Sequence, residues 1–164
     1  MVNLGFGDVS EEKRTLLLDK IEGVCLFHGA TQVDIVAHSM GGNSAFAALF
    51  IKECSTLDNG NLTFTGPKQL NSKIRKVVTL ALPTTKEELT WLREANSTDQ
   101  VYNVVAKYDV LMGHKPCGFD RDNSLKRADV SCGHIGIVYQ PQVPDIVHHM
   151  LASSATPTTT IIRK

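Results

Sequence analysis

Apolar residues recur along this chain with two kinds of spacing, one typical of helices and one typical of buried strands. Their alternation predicts an α/β domain. Residues 11–27 place Leu17, Ile21 and Val24 at helical spacing among charged residues, and Gly29 follows as a C-cap. Residues 33–37 are a short apolar run containing Val33, which predicts a buried strand. The chain therefore passes from helix to strand within its first forty residues.

The same alternation continues to the end of the chain. We predict helices over about 40–54, 86–94 and 141–152, and strands over 2–6, 33–37, 74–81, 101–106 and 129–132. A strand, a helix and a second strand in sequence form a βαβ unit, which implies parallel strands and a right-handed crossover. The sequence thus predicts a mostly parallel sheet of about five strands flanked by helices.

One domain spanning residues 1–164 accounts for this pattern, because 164 residues suffice for a sizeable core. Residues 55–72 are polar and rich in Gly and Asn, with a turn signal at 58–61 and a short strand at 62–64. We interpret them as a surface insertion, since another core strand follows. Residues 153–164 are interpreted as a loose tail.

Composition narrows the function only by exclusion. Seventeen basic residues balance seventeen acidic ones, so no charge excess favours nucleic acid or an anionic membrane as a partner. No apolar run has the length of a transmembrane helix, and residues 1–10 lack the pattern of a signal peptide. The four cysteines match no zinc spacing; Cys25 and Cys54 fit buried positions, and Cys117 and Cys132 are either free or paired.

Candidate chemistry enters at residues 33–51. An apolar strand, Ser39, two glycines and an apolar helix follow one another, which is the order of a nucleophile elbow. Ala37 and Gly41, two positions before and after the serine, are small enough to let strand and helix approach. The alternative is an ordinary strand–helix turn, or a glycine pair that cradles a phosphate at a helix N-terminus.

A serine nucleophile needs a base and an acid, which follow it in that fold in the order serine, acid, histidine. Asp109 fits the acid because it lies three residues beyond the strand that ends at Ala106. Its rivals are Asp99, which precedes that strand, and Asp120 and Asp122, which lie in a polar loop. A turn residue or helix cap is the alternative role for Asp109.

His134 fits the base because it follows a predicted strand and is succeeded by apolar residues. His38 adjoins the serine, so its side chain leaves the backbone in another direction and suits packing and hydrogen bonding. The other histidines are less well placed: His28, His114, His148 and His149.

The amide of Met40 is a candidate oxyanion-hole donor, because it follows the nucleophile at the start of a helix. A second donor usually comes from a loop after an earlier strand, often marked by His-Gly. His28 and Gly29 form such a pair, but they stand about ten residues before Ser39 at a helix end. We therefore interpret that pair as a chance match to the motif and not as the source of the second donor.

Three segments together give a resemblance to a known family. Residues 33–42, residues 108–112 and residues 133–139 resemble the small bacterial triacylglycerol lipases of the lipase class 2 group. The resemblance covers roughly residues 2–151, and its specific parts are the Ala-His-Ser-Met-Gly elbow and the segment around His134. It implies a minimal α/β-hydrolase fold in which Ser39 is the nucleophile and Asp109 the acid.

The same resemblance makes His134 the base and Met40 an oxyanion donor. It implies a serine carboxylic-ester hydrolase of lipid catabolism, acting on an ester or lipid substrate without a cofactor or metal. It also implies secretion, which is usual in the group.

The chain departs from the family at its beginning. The family's first strand and His-Gly loop precede the segment that residues 2–6 resemble, so we expect an N-terminally truncated version of the fold. Residues 2–6 pair with the elbow strand, a preceding segment is missing, or a complementing chain fills the gap. Residues 80–83, at the end of the strand predicted over 74–81, also lack the glycine that often follows this strand in the family. Two alternative functions follow: a weak or inactive lipase-like binding module, and an acyltransferase that uses the same three residues.

Overall fold

The computed structural model describes residues 11–49, 54–56, 62–64, 70–82, 90, 92–111 and 126–153. Six strands lie in these ranges: β1 (Val33–His38), β2 (Cys54–Thr56), β3 (Leu62–Phe64), β4 (Ile74–Leu80), β5 (Val101–Ala106) and β6 (Lys126–Val130). The helices are α1 (Glu11–His28), α2 (Gly41–Leu49) and α3 (Val143–Ala152), with a 3-10 helix at Gly136–Tyr139. Residues 92–94 are also helical.

Four of the strands form one parallel sheet in the order β1-β4-β5-β6. Because all four run in the same direction, their carboxyl ends meet at one edge of the sheet. Strands β2 and β3 form a separate antiparallel pair. The structure is therefore the α/β fold with a parallel sheet that the sequence predicts. The described residues contribute four strands to the main sheet, where the sequence predicts about five for the whole chain.

Two apolar clusters cover the two faces of the sheet. One joins α1 and α2 to β4 and β5, and its centre includes Phe46, Leu49 and Val77. The other packs α3 and the 3-10 helix on the opposite face, around Val104 and Ile137. Strands β4 and β5 are buried almost throughout, as expected for central parallel strands covered on both faces.

A buried lysine anchors the last helix. Nζ of Lys76 on β4 donates to the carbonyl oxygens of Met150 at 3.1 Å, Leu151 at 2.9 Å and Ser153 at 2.5 Å. These carbonyls lie at the C-terminal end of α3, where a helix has unsatisfied acceptors and a negative partial charge. The contact fixes the C-terminal end of α3 near the amino end of β4, opposite the carboxyl edge of the sheet.

Most predicted boundaries agree with the structure to within two residues, and two do not. The helix predicted over 40–54 is α2 (Gly41–Leu49), and Cys54, its predicted last residue, instead begins strand β2. The strand predicted at 129–132 is β6 and begins at Lys126, within a stretch that the sequence suggested was a polar loop. Lys126 and Arg127 are half-buried there, and Lys126 Nζ lies 5.1 Å from the centre of the Tyr102 ring. Charged residues occupy this strand because it is the last strand of the described sheet and their aliphatic stems lie along its surface.

Several predictions fall partly or wholly outside the described residues. The strand at 2–6 lies outside them, as do most of the helix at 86–94 and residues 154–164 of the predicted tail. Of the predicted insertion at 55–72, the structure describes residues 55–56 of β2, all of β3 and residues 70–72. Among the described residues, no helix combines the length and hydrophobicity needed to cross a membrane.

Candidate active site

The elbow serine stands at the carboxyl end of β1. Ser39 has a φ of 53°, in the left-handed region that a serine rarely adopts. Its amide donates to the Leu80 carbonyl at 2.9 Å, and its own carbonyl accepts from the Gly42 amide at 2.8 Å. Helix α2 begins two residues after the serine. Strain of this kind is characteristic of a functional turn, since the surrounding structure has to enforce it.

The close approach at the elbow depends on Gly42. A Cβ at Gly42 would lie 2.6 Å from Cδ2 of Leu82 and 3.3 Å from Cγ2 of Thr79. A Cβ at Gly41 would meet only Cβ of Ala37, at an ordinary 4.0 Å. Ala37 and Gly41 thus face each other across the turn, in agreement with the motif. The more crowded position is the next one, Gly42, where the tip of the Leu82 side chain would have to shift to admit a methyl group.

The carboxylate of Asp109 lies in the loop that follows β5. Asp109 is only 8% exposed, and its Oδ1 accepts a hydrogen bond from the Leu111 amide at 3.1 Å. This bond is local, so the loop itself orients the carboxylate. Its second oxygen, Oδ2, is thereby turned toward the loop that follows β6.

The imidazole of His134 connects the acid to the serine. Nδ1 of His134 lies 2.6 Å from Oδ2 of Asp109, and Nε2 lies 2.6 Å from Oγ of Ser39. A carboxylate only accepts hydrogen bonds, so Nδ1 carries the proton and Nε2 of the neutral ring accepts from the serine hydroxyl. The structure brings the three predicted side chains into one chain of hydrogen bonds, and their catalytic roles stay predictions.

Backbone hydrogen bonds hold two loops side by side. They are the loop after β5 that contains Asp109 (the acid loop, residues 107–111) and the loop after β6 that contains His134 (the base loop, residues 131–135). The Lys107 amide donates to the Val130 carbonyl at 2.9 Å, and the Tyr108 amide donates to the Cys132 carbonyl at 3.0 Å. The pairing of β5 with β6 thus continues past the ends of both strands. Asp109 and His134 are next in line on the two loops, so the sheet sets their separation.

The thiol of Cys132 lies under the site and does not form a disulfide. Cys132 is buried and free, and Cys117, its candidate partner in the sequence, lies outside the described residues. Burial raises the pKa of the Cys132 thiol, and the negative charge of Asp109 raises it further. The thiol therefore stays neutral and packs as an apolar residue beneath the base loop.

Met40 is placed where the sequence predicted an oxyanion donor. It lies between Ser39 and the first residue of α2, and its carbonyl accepts from the Asn43 amide at 3.1 Å. The amide of Met40 is therefore among the N-terminal amides of a helix, which attract negative charge. Its side chain is 37% exposed at the surface of the site.

The rival residues lie elsewhere. Asp99 precedes β5, at the amino edge of the sheet, and His148 and His149 are exposed on α3. His28 and Gly29 end α1 before β1 begins, and Gly29 has the positive φ of 62° that a C-cap requires. They are separated from Ser39 by the whole of β1, which agrees with the interpretation that they do not supply the second oxyanion donor. His114, Asp120 and Asp122 lie outside the described residues.

His38 makes a contact that the sequence analysis did not specify. Its Nε2 lies 3.0 Å from the backbone oxygen of His134, and the two imidazole rings are 5.1 Å apart. The sequence suggested only a packing and hydrogen-bonding role. The signal available was the position of His38 beside the nucleophile, but its partner is 96 positions away and is identified only by the fold.

Neither a metal site nor a known relative extends this description. Within the described ranges, no group of three or more His, Cys, Asp or Glu side chains is arranged to hold a metal ion. A cavity of about 280 Å³ lies beside α1, lined by Arg14, Glu22 and Lys73 among others, and it is away from Ser39. Comparison with models of protein families and with curated proteins finds no significant match.

Proposed function

We propose that the protein is a serine carboxylic-ester hydrolase of the lipase or esterase type. The observation that carries the proposal is the continuous hydrogen-bonded chain from Ser39 through His134 to Asp109, with both contacts at 2.6 Å. The strained backbone of the serine supports it, because it matches the turn that exposes a nucleophile above a parallel sheet. Each of the three residues also follows the carboxyl end of a different strand.

Acylation follows from the proton positions. Oγ of Ser39 attacks the ester carbonyl carbon while its proton passes to Nε2 of His134, and the carboxylate of Asp109 stabilises the imidazolium through Nδ1–H. The carbonyl oxygen becomes an oxyanion that accepts a hydrogen bond from the Met40 amide. When the intermediate collapses, the ester C–O bond breaks and the leaving alkoxide takes the proton from Nε2.

Deacylation repeats these steps with water as the nucleophile. His134 removes a proton from water, the resulting hydroxide attacks the acyl carbon, and Oγ of Ser39 leaves with the proton returned from Nε2. The products are a carboxylic acid and an alcohol. No step requires a metal or a redox cofactor.

Apolar side chains adjoin each of the three residues and suit an apolar acyl group. Tyr108 and Val110 flank the acid and are 62% and 70% exposed. Ile135 follows the base and is 62% exposed, and Met40 follows the serine. A group of exposed apolar residues around one polar centre favours a substrate with an apolar portion.

The resemblance to lipase class 2 supports the finer part of the proposal, an ester or lipid substrate in lipid catabolism. Secretion rests on that resemblance alone. The range of substrates proposed runs from short acyl esters to triacylglycerols. Because the resemblance is strongest at the elbow and around His134, it bears on the reaction more than on the acyl chain length.

A second candidate function is favoured by one observation at β1. Within the described ranges, β1 pairs with β4 on one edge and with no strand on its other edge. That other edge is where the resemblance places the strand with the second oxyanion donor. Loss of one such donor costs on the order of 100- to 1,000-fold in rate, so the alternative is a weak or inactive lipase-like binding module. An acyltransferase with an alcohol in place of water is the remaining variant.

The test measures turnover and acylation separately. The full chain is incubated with p-nitrophenyl butyrate beside a Ser39→Ala variant, and a fluorophosphonate probe is used to label the serine. We expect turnover that Ser39→Ala lowers by a factor on the order of 10⁶, which leaves only the residual catalysis that does not depend on the serine. Mass spectrometry is expected to find the label on Ser39.

Each outcome selects one candidate. Turnover with labelling supports the hydrolase, and an increase in ester product on adding an alcohol acceptor selects the acyltransferase. Labelling without turnover selects the weak version with an incomplete oxyanion hole. Absence of both turnover and labelling would exclude an activated serine at this position.

A further inference from the structure

The last residue of β1, His38, and the residue after it, Ser39, both contact His134 in the base loop. Ser39 contacts the imidazole of His134 through Oγ, at 2.6 Å from Nε2. His38 contacts the main chain of His134, with its Nε2 at 3.0 Å from the carbonyl oxygen. One residue thus engages the side chain of the base and its neighbour engages the backbone.

The direction of the second bond is fixed by its chemistry. A carbonyl oxygen only accepts, so Nε2 of His38 carries the hydrogen and donates it. This holds both for the neutral ring with its proton on Nε2 and for the imidazolium, in which both nitrogens are protonated.

Two other contacts of the base loop tie it to the acid loop and to itself. The Tyr108 amide donates to the Cys132 carbonyl at 3.0 Å, and the Ile137 amide donates to the Gly133 carbonyl at 3.2 Å. These contacts hold the loop relative to the acid and maintain its internal turn. The bond from His38 ties the loop to the strand that carries the nucleophile, on the far side of β4 and β5.

We propose that His38 is a positioning residue, whose Nε2–H holds the backbone of His134 so that the imidazole stays within reach of Ser39. The inference rests on the proposed function for its kinetic consequence, but not for the contact itself. A displacement of a reacting group by about 1 Å costs on the order of 100-fold in rate, which gives the bond its importance. A mere packing role would be satisfied by any side chain of similar volume.

The test compares side chains that place a donor at different distances. The amide nitrogen of glutamine in His38→Gln reaches about as far as Nε2 of histidine, whereas the shorter side chain in His38→Asn does not. We expect His38→Asn to lower kcat with p-nitrophenyl butyrate by about 10- to 100-fold with KM within about twofold. His38→Gln is expected to restore kcat to within about threefold of the wild type.

His148→Asn is the matched control, because it makes the same change at an exposed histidine of α3. It is expected to leave kcat unchanged. Thermal unfolding of all variants separates positioning from loss of the fold. Equal kcat for wild type and His38→Asn would overturn the proposal, and so would a failure of glutamine to restore the rate in a protein that unfolds at the wild-type temperature.

A readout without catalysis keeps this inference separate from the proposed function. The hydrogen-bonded Nδ1 proton of His134 is observable by ¹H NMR as a downfield imidazole signal, whether or not the protein hydrolyses esters. We expect that signal to exchange faster with solvent in His38→Asn than in His38→Gln or His148→Asn. If the wild type has no esterase activity, the proposed function fails and this comparison alone decides the role of His38. An unchanged signal in His38→Asn would then overturn it.

Discussion

The two sides of the elbow strand β1 differ sharply. On its inner side β1 pairs with β4, and the carboxyl ends of β5 and β6 beyond it supply the acid and the base. On its outer side the described residues contribute no strand. Val36 of β1 and Val78 of β4 are register partners on the same face of the sheet, yet Val36 is 47% exposed and Val78 is fully buried.

This difference shows that the two halves of the proposed chemistry have different structural sources. Proton transfer among Ser39, His134 and Asp109 requires only the inner side, where the pairing of β5 with β6 fixes the two loops. Oxyanion stabilisation has one donor, the Met40 amide, in the elbow itself, and by resemblance draws the other from the outer side. Proton transfer on the inner side can therefore be tested through its three residues. On the outer side, the test is whether the edge of β1 is unpaired.

Among the changes that compare the two sides of β1, the largest effect is expected from Asp109→Asn, which tests the inner side. The Leu111 amide donates to Oδ1 at 3.1 Å, so the new side chain keeps its oxygen there and turns its NH₂ toward Nδ1 of His134. Nδ1 must then accept, which moves the ring proton to Nε2 and prevents that atom from taking the serine proton. We expect kcat for ester hydrolysis to fall on the order of 10⁴-fold, since the fold is kept while the tautomer is wrong.

The measurement is steady-state hydrolysis of p-nitrophenyl butyrate, with circular dichroism as the control for folding. Fluorophosphonate labelling of Ser39 should slow in parallel, because the same base activates the nucleophile in both reactions. A decrease of less than tenfold in a folded variant would show that the contact between Asp109 and His134 does not serve proton transfer. It would also remove the basis for treating the inner side as a complete unit.

The inner side could be predicted from the sequence because its residues follow strands in a fixed order. The apolar runs at 33–37 and 101–106 are visible in the sequence, and parallel strands bring their carboxyl ends to one edge. Ser39 and Asp109 could therefore be placed near each other, and His134 followed as the histidine after the last strand. The same reasoning predicted the class of fold, since strands and helices alternate.

What could not be predicted depends on contacts between distant parts of the chain. β6 begins at Lys126 because pairing with β5 outweighs the low strand propensity of charged residues, which no local pattern shows. The crowding at Gly42 could not be predicted because it comes from Leu82 and Thr79, at the end of another strand. The partner of His38 was unidentified for the same reason.

The positive φ of Ala81 belongs to this group as well. Ala81 has a φ of 54° and is buried, and it lies within residues 80–83, where the sequence lacks the glycine common in the family it resembles. A left-handed backbone costs an alanine about 1–2 kcal/mol, so the surrounding pairing must enforce it. Its amide donates to the Val104 carbonyl at 2.9 Å, which is the tertiary contact that does so.

Hydrogen exchange tests the outer side and is expected to give the next largest effect. The Ser39 amide donates to the Leu80 carbonyl, so by the alternation of a parallel ladder the amides of Ile35 and Ala37 also face β4. The amides of Asp34, Val36 and His38 then face outward. We expect these three to exchange at least about tenfold faster than the inward ones, after correction for intrinsic rates.

The internal reference is the same strand, so global stability cancels from the comparison. Equal protection of outward and inward amides would contradict an open edge, and would mean that a segment outside the described ranges or another molecule pairs with β1. Repeating the exchange at several protein concentrations distinguishes these two cases. Protection that grows with concentration indicates a second molecule, and constant protection indicates a segment of the same chain.

The smallest effect is expected from a pair of glycine substitutions that contrasts the two sides within the elbow. Gly42→Ala would direct its methyl group at Leu82 and Thr79 on the inner side, whereas Gly41→Ala would meet only Ala37. Both glycines belong to α2, so the gain in helix propensity cancels to first order in their difference. Overpacking usually costs about 1–3 kcal/mol, and the flexible tip of Leu82 puts this case near the lower limit.

We therefore expect Gly42→Ala to have a free energy of unfolding about 1 kcal/mol below that of Gly41→Ala. Urea denaturation followed by tryptophan fluorescence measures both values, and equal slopes would show that the two variants share a denatured state. If Gly42→Ala were as stable as Gly41→Ala, the end of β4 would have room to move away from the elbow. In that case the contact between Gly42 and the end of β4 would not be tightly packed, and tight packing on the inner side would be confined to β1.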